Sequence, residues 1–155
     1  MGGFTTAFPN SLKGELPQAI QDFSLGGDQF KVALGIAAPA GTYDNDTFNY
    51  SQLVAASDEL PNGSGYTTGG FAFTAAQNIT PITDNITNIA YWQWSVNPQW
   101  TSLTANTLGC IIYNNSKTGR VVYIGNFGSV QSVIGSTLTL ILPVNAPATA
   151  LLSLI

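Results

Sequence analysis

Three features of the sequence predict a mainly β protein: a β-sandwich of jelly-roll or Ig-like kind with one short N-terminal helix. Short stretches alternate with period two, most clearly Phe30, Val32, Leu34 and Ile36 against Lys31, Ala33 and Gly35. Clusters of Gly, Asn and Pro separate those stretches at short intervals. Helical periodicity is confined to a region near the start, with one further helical turn expected in a later loop. A chain of 155 residues is long enough for one domain that buries roughly two thirds of its unfolded surface.

Met1 to Pro9 has no periodicity and reads as a flexible N-terminal arm (1–9), leaving 10–155 as a single β-sandwich domain. From Asn10, Leu12, Leu16, Ile20 and Phe23 recur at helical spacing, with Asn10 or Ser11 as N-cap. Pro17 interrupts the pattern. Either the helix is kinked there, or its regular part begins at that proline. The run LGGD stops it, and the strand of Phe30 to Ile36 follows with one face buried. A long loop comes next, with a helical turn near Tyr50 to Ala56. It leads into PNGSGYTTGG, where Asn62-Gly63 suits positive backbone dihedrals.

Further strands are expected at Gly70 to Ala75, Ile86 to Val96, Leu108 to Asn114, Arg120 to Phe127 and Ser136 to Leu142. In the last, Leu138, Leu140 and Leu142 face one way and Thr137 and Thr139 the other. Asn115 to Gly119 closes a hairpin with Gly119 in a left-handed position. Lys117 and Arg120 keep its tip solvated and discourage edge pairing. The tail NAPATALLSLI is either a final strand of the domain's own sheet or a surface packed on a sister subunit or another partner.

Charged residues make up 8% of the chain, against a usual ~25%. Thr, Ser, Asn, Gln and Gly supply the polarity instead, a surface that is cheap to desolvate and suits a protein lying against neighbours. Aromatic residues at 11% and a mean hydropathy of +0.18 argue against disorder. A net charge of −4 and a pI of about 4.2 make duplex nucleic acid a poor partner, because four cations cannot neutralise its phosphates. No clean run of ~20 apolar residues exists, and no cationic segment precedes an apolar one at the start, so neither a membrane span nor a secretory signal is expected. Cys110 is the sole cysteine. It excludes an internal disulfide, fits a reducing compartment of synthesis, and reads as an inert buried thiol beside Leu108, Ile111 and Ile112.

Histidine is absent, which removes the commonest general base, the commonest metal ligand and any Ser-His or Cys-His pair. No HExxH, paired-Cys, Walker or Rossmann pattern occurs, and GSGYTTGG lacks the lysine and the strand-to-helix setting of a phosphate cradle. Asp44, Asp46, Asp58, Glu59 and Asp84 are the remaining catalytic option, since a glycosidase needs two placed carboxyls. They read as solvated loop acids, and DND as an Asx-rich turn without the Gly and distal Glu of an EF-hand loop. The expectation is a protein that is not an enzyme, with no catalytic, cofactor-binding or metal-binding residues and no cofactor. In AYWQWSVNPQW, Trp92 and Trp94 share a face with Val96 and belong in the core, while Trp100 is the better candidate for exposure. The glycosylation sequons follow from Asn and Thr abundance, and the start MGGFTT fits a myristoylation pattern only loosely.

The helix NSLKGELPQAI, strand DQFKVALG, turn GSGYTTGG, aromatic AYWQWS, hairpin CIIYNNSKTGRVVYIGNFGS and closing STLTLILP succeed one another over most of the chain. This order, with GxGYTxGG and FKVAL as its most specific parts, resembles a family of small virion structural proteins of tailed bacteriophages, often head decoration or cement proteins. The resemblance implies a β-rich, non-enzymatic component of the particle. The expected role is a capsid decoration protein on the virion surface, synthesised in the host cytoplasm. It would bridge major capsid protein subunits as a homo-oligomer, a trimer first and a dimer second. The alternative is a tail or fibre module that binds a host-surface glycan; a glycosidase ranks third.

Overall fold

The computed structural model describes residues 2–74, 77, 82–84, 89–92, 94–142 and 152–154, with 82–84, 89–92 and 152–154 as backbone alone. The chain is mainly β, sandwich-like, with antiparallel sheets and short helices. In order the elements are β1 (Gly3–Phe4), α1 (Asn10–Glu15), β2 (Phe30–Ile36), β3 (Thr42–Tyr43), α2 (Ser51–Ala55) and β4 (Phe71–Ala72). Then come β5 (Ile82–Asp84), β6 (Ile89–Trp92), β7 (Gln99–Asn114), β8 (Arg120–Thr139) and β9 (Leu152–Leu154). Among the described residues the main sheet has the order β4-β2-β7-β8, a second has β5-β6-β9, and β1 pairs with β3 in parallel.

The hairpin of β7 and β8 dominates, with strands of 16 and 20 residues. The stretches expected at Leu108 to Asn114 and Arg120 to Phe127 are therefore parts of two long strands, and that expected at Ser136 to Leu142 joins the second only as far as Thr139. Gly128 and Gly135, at φ of 78° and 57°, let β8 bulge without ending. The turn at the near end is as expected, with Gly119 at φ 80°. Leu138 and Leu140 pack on the core and Leu142 is buried in it, as the alternation required.

β2 is buried on both faces, where one buried face was expected. Phe30, Val32 and Leu34 join Cys110, Ile112 and Val122 in one core cluster. Ala33 joins Ile111, Tyr113 and Val121 in a second, on the other side of the sheet. The second exists because the segment expected to be a free arm is docked there. Gly35 and Gly109 are register partners on β2 and β7, and the ring of Phe4 lies on the flat patch they leave. A Cβ on Gly35 would come within 2.1 Å of Phe4 Cζ, and one on Gly109 within 2.5 Å of Phe4 Cγ. Phe4 is buried and stacks on Tyr43 at 4.9 Å. The same segment then exchanges two backbone hydrogen bonds with the edge of β8, Ala7 N–H to Ile124 O at 3.1 Å and Ile124 N–H to Ala7 O at 3.0 Å.

α1 stops before Pro17 rather than bending at it or starting from it. Pro17 has no N–H to continue the ladder, and the chain closes by the amide of Ala19 donating to Leu16 O at 3.1 Å and that of Ile20 to Glu15 O at 3.2 Å. That closure sets Ala19 at φ 52°, a position glycine normally fills. α2 occupies the helical turn expected near Tyr50 to Ala56. The strand expected at Gly70 to Ala75 shrinks to β4 at Phe71–Ala72, and that at Ile86 to Val96 to β6, which ends at Trp92 with Trp94 to Val96 outside it; residues 75, 86–88 and 93 lie outside the described residues. β9 pairs antiparallel with β6, Tyr91 opposite Ser153. Leu152–Leu154 thus takes the first of the two roles foreseen for the tail, a strand of the domain's own sheet, while 143–151 and Ile155 lie outside the described residues.

Two outcomes test these contacts. Phe4→Ala should cost about 3–5 kcal/mol, and Gly35→Ala should be strongly destabilising on its own. In the Phe4→Ala background Gly35→Ala should cost little, because the three nearest atoms to the added methyl all belong to the Phe4 ring. Full additivity in a denaturant double-mutant cycle would disprove the seat. Ala19→Gly should raise stability by about 1 kcal/mol through relief of the left-handed alanine, read as a shift in urea midpoint at constant slope.

Candidate functional site

The hairpin tip was expected to carry solvated cations. It carries paired ones instead. Arg120 bonds Glu15 at the end of α1, and Lys117 Nζ lies 3.5 Å from Asp28 Oδ1. Both carboxylates are buried, while the cationic side chains remain about 40% exposed. Between the pairs runs a buried amide relay: Gln21 donates to Glu15, and Asn114 Nδ2 donates to Gln21 Oε1 at 2.6 Å and to Asp28 Oδ2 at 2.8 Å. Asn114 Oδ1 accepts the Lys117 amide at 3.1 Å. A pair of this kind is weak evidence for net stability, but removing one partner from a buried carboxylate is strongly destabilising. Here the pairs clamp α1 and the loop after it to the end of the β7–β8 hairpin.

The carboxylates weighed as catalytic candidates are also held in the fold. Asp44 and Asp46 form the Asx turn that DND suggested: the Asp46 amide donates to Asp44 Oδ1 at 3.0 Å, and the Asp44 amide to Thr47 Oγ1 at 3.0 Å. Asp58 is buried, not solvated. It accepts from the Ala40 amide at 2.9 Å, the Gly41 amide at 2.7 Å and the Tyr43 hydroxyl at 2.7 Å. Burial alone would raise its carboxyl, but these three hydrogen bonds outweigh that effect and hold it below the ordinary value. Glu59 accepts from the Tyr50 hydroxyl, from the Tyr66 hydroxyl at 2.7 Å and from the Gly69 amide at 2.6 Å. Asp84 lies on β5, its side chain outside the description. Among the described residues no group of three or more His, Cys, Asp or Glu is arranged to hold a metal ion.

The turn GSGYTTGG serves this arrangement. It delivers the Tyr66 hydroxyl to Glu59 and to the Leu34 amide, which donates to it at 3.1 Å. Its closing Gly70 lies so near the Val32 carbonyl that a Cβ would approach to 1.8 Å. Desolvation, reinforced by the negative charge of Glu59, raises Tyr50, Tyr66 and Tyr113 above the ordinary tyrosine range; burial and Asp58 do the same for Tyr43. Cys110 is buried, as expected, and burial pushes its thiol up to about 12. Tyrosine–carboxylate pairing was not legible in sequence, since partners such as Tyr43 and Asp58 carry no spacing signature.

Trp94 lies in the core as expected, stacked on Phe73 at 4.8 Å. Trp100 does too, against the expectation of exposure: it is 5% exposed and meets Phe71 edge-on at 6.3 Å. It belongs to β7 rather than to a loop after Pro98, so its side chain turns onto the sheet. Trp92 falls on β6, with its side chain outside the description. What the surface does offer is an open, uncharged cleft of about 420 Å³ beside the end of β2. Ile36 and Leu60 contribute apolar lining, and Asn62, Ser64, Thr104 and Asn106 contribute amides and hydroxyls. A second surface feature is apolar: Val130 and Ile134 on β8 are 46% and 81% exposed. No family model matches the chain, and neither a curated protein nor a solved structure does.

The signs of these shifts define a pH window. A carboxyl depressed in the folded state, as in Asp58, contributes stability that is present above its unfolded value of about 3.9 and lost as pH falls through the lower folded one. Tyrosines raised in the folded state contribute stability that is complete below about pH 10 and lost as pH rises beyond it. Tyrosinate absorbance should therefore appear late in an alkaline titration, in step with the loss of near-ultraviolet circular dichroism. A rise near pH 10 with the fold intact that Tyr43→Phe or Tyr66→Phe removes would contradict the hydroxyl–carboxylate pairing.

Proposed function

We infer that the protein is a non-enzymatic structural component of a tailed-bacteriophage virion, a decoration protein that lies across major capsid subunits on the particle surface. The phage setting rests on the resemblance carried by the GxGYTxGG turn, the FKVAL strand and the order of elements around them. One structural observation supports a role in contact: half of the few charged side chains are spent internally. Glu15, Asp28, Lys117 and Arg120 pair with one another, and Asp58 and Glu59 bind tyrosine hydroxyls and turn amides. The surface left for contact is rich in hydroxyls and amides, which lose little on desolvation compared with ions.

In this reading the mechanism is mechanical. Interface buried between adjacent shell subunits opposes the pressure of packaged DNA, and neither nucleic acid nor membrane is a partner. The uncharged cleft supports the second reading, a tail or fibre module that binds a neutral host glycan, because its amides and hydroxyls match sugar hydroxyls.

Copy number separates the two: hundreds per particle for a shell protein, few for a fibre module. Purified protein should also bind particles stripped of it with an affinity that changes little between low and high salt, since few exposed ions take part. A steep salt dependence, or a copy number confined to the tail, would reject the shell role.

A further inference from the structure

The uncharged cleft lies where two strands part. β2 leaves β7 at Ile36, opposite Thr107, after a shift of register between Gly35 and Ile36. The chain meets β7 again further along, where Ser64 O accepts the Thr104 amide at 2.8 Å. Between these two attachments Ala105 and Asn106 back an open space of about 420 Å³, at the small end of the ~300–1,000 Å³ of ligand sites. Its walls are fixed. The Leu60 amide donates to Leu34 O at 2.9 Å, Gly63 and Tyr66 exchange two backbone bonds at 2.8 and 2.9 Å, and Thr107 Oγ1 donates to Gly35 O at 2.6 Å.

The lining selects its ligand. Ile36, Leu60 and Ala105 are apolar, while Asn62, Ser64 and Asn106 bring polar side chains that no described residue engages. Thr104 Oγ1 accepts the Gly135 amide at 2.9 Å and keeps its hydroxyl proton to donate. None of the lining residues is charged, so an ionic ligand would lose hydration without gaining a counterion. No aromatic face is offered for stacking either: Tyr66 is 3% exposed, and its hydroxyl is held by Glu59 and the Leu34 amide. A plain hexose, all hydroxyl, would leave the apolar lining unused. An acetamido group supplies both parts at once, a methyl for Ile36 and Leu60 and an amide whose C=O and N–H match the side-chain amides of Asn62 and Asn106. Ser64 adds a separate sign. It sits at φ 50° between Gly63 and Gly65, a left-handed position that glycine would hold with less strain. We propose that the cleft binds a neutral acetamido sugar, and that Ser64 occupies its strained position to present a hydroxyl to the sugar ring. The proposal rests on the second reading above and narrows its neutral glycan to an N-acetylated one.

Titration of the isotope-labelled full chain with the methyl glycoside of N-acetylglucosamine, followed by amide NMR, tests this without any particle. Shifts should saturate at millimolar concentration and cluster at Asn62 to Ser64 and Thr104 to Asn106. Glucose and glucosamine at the same concentration should leave those amides in place. Ser64→Gly should raise the urea midpoint and weaken binding at least fivefold, a gain and a loss that a purely structural serine would not combine. Asn106→Ala should weaken binding as much with the midpoint unchanged. Absence of saturable shifts overturns the proposal, as does an equal response to glucose, or a Ser64→Gly variant that binds as tightly as the parent. N-acetylalanine amide moving the same resonances as strongly would mark a peptide site and overturn it equally. Copy number on the particle decides separately between shell and fibre, so a cleft that binds no acetamido sugar and a protein that is no fibre module are distinct results.

Discussion

Two glycines facing each other across β2 and β7 set the plan of the molecule. A sheet residue with a side chain stands off whatever packs above it; Gly35 and Gly109 let an aromatic ring lie on the backbone itself. Once Phe4 occupies that place, the rest of its face follows. Tyr43 stacks on the ring, and its hydroxyl reaches Asp58. Asp58 in turn gathers the amides of Ala40 and Gly41, so the loop between β2 and β3 is fixed by a chain of contacts that starts at a ring near the N-terminus. The cost of ordering the first residues, of order 1–2 kcal/mol each, is offset by a fully buried phenylalanine and by the hydrogen bonds to Ile124.

The opposite end of the sheet is organised by charge rather than by packing. Glu15, Asp28, Lys117 and Arg120 are distant in sequence and meet only because the β7–β8 turn comes to lie against α1. A buried carboxylate without its cation would be strongly destabilising, so the α1 segment and the hairpin tip are mutually required. Nearer the middle, Glu59 takes two tyrosine hydroxyls and an amide, and no cation. The protein thus uses its few acids as multi-acceptor anchors, and a low charged fraction and a specific fold are compatible for that reason.

Much of the β architecture could be read from the sequence, and the failures have physical causes. β2, the two halves of the hairpin and the left-handed Gly119 were legible because hydrophobic alternation and turn chemistry are local signals. The polar run Thr101 to Thr107 gave none, although it lies within β7, because its backbone pairs with β8 while its side chains are mostly hydroxyls and amides. Phe4 was read as part of a free arm because its partners, Gly35 and Gly109, signal nothing in one dimension. Trp100 was placed outside for the same reason: a proline before it suggested a turn, and the strand that turns it inward was not visible. The polar pairs were least legible of all, since Asn114 with Gln21, or Tyr50 with Glu59, become neighbours only after the sheet has formed.

The Phe4 seat also bears on the open end of the hairpin. With the ring fixed over Gly35 and Gly109, the segment after it meets β8 first at Asn126, through Thr6, and runs antiparallel to it past Ile124, through Ala7, before α1, which is in turn held by Arg120. Coverage of the edge by this segment therefore starts where the chain leaves the Phe4 seat, just before Gly128, and extends only toward Ile124. A long uncharged edge left bare at that point would invite open-ended strand addition. The left-handed glycines at 128 and 135 prevent this by kinking the strand on either side of Val130 to Ile134. They leave a segment too short to template a growing sheet. The two kinks thus do for this edge what lysine or proline does for others, and an edge without guard charges stays compatible with a defined fold.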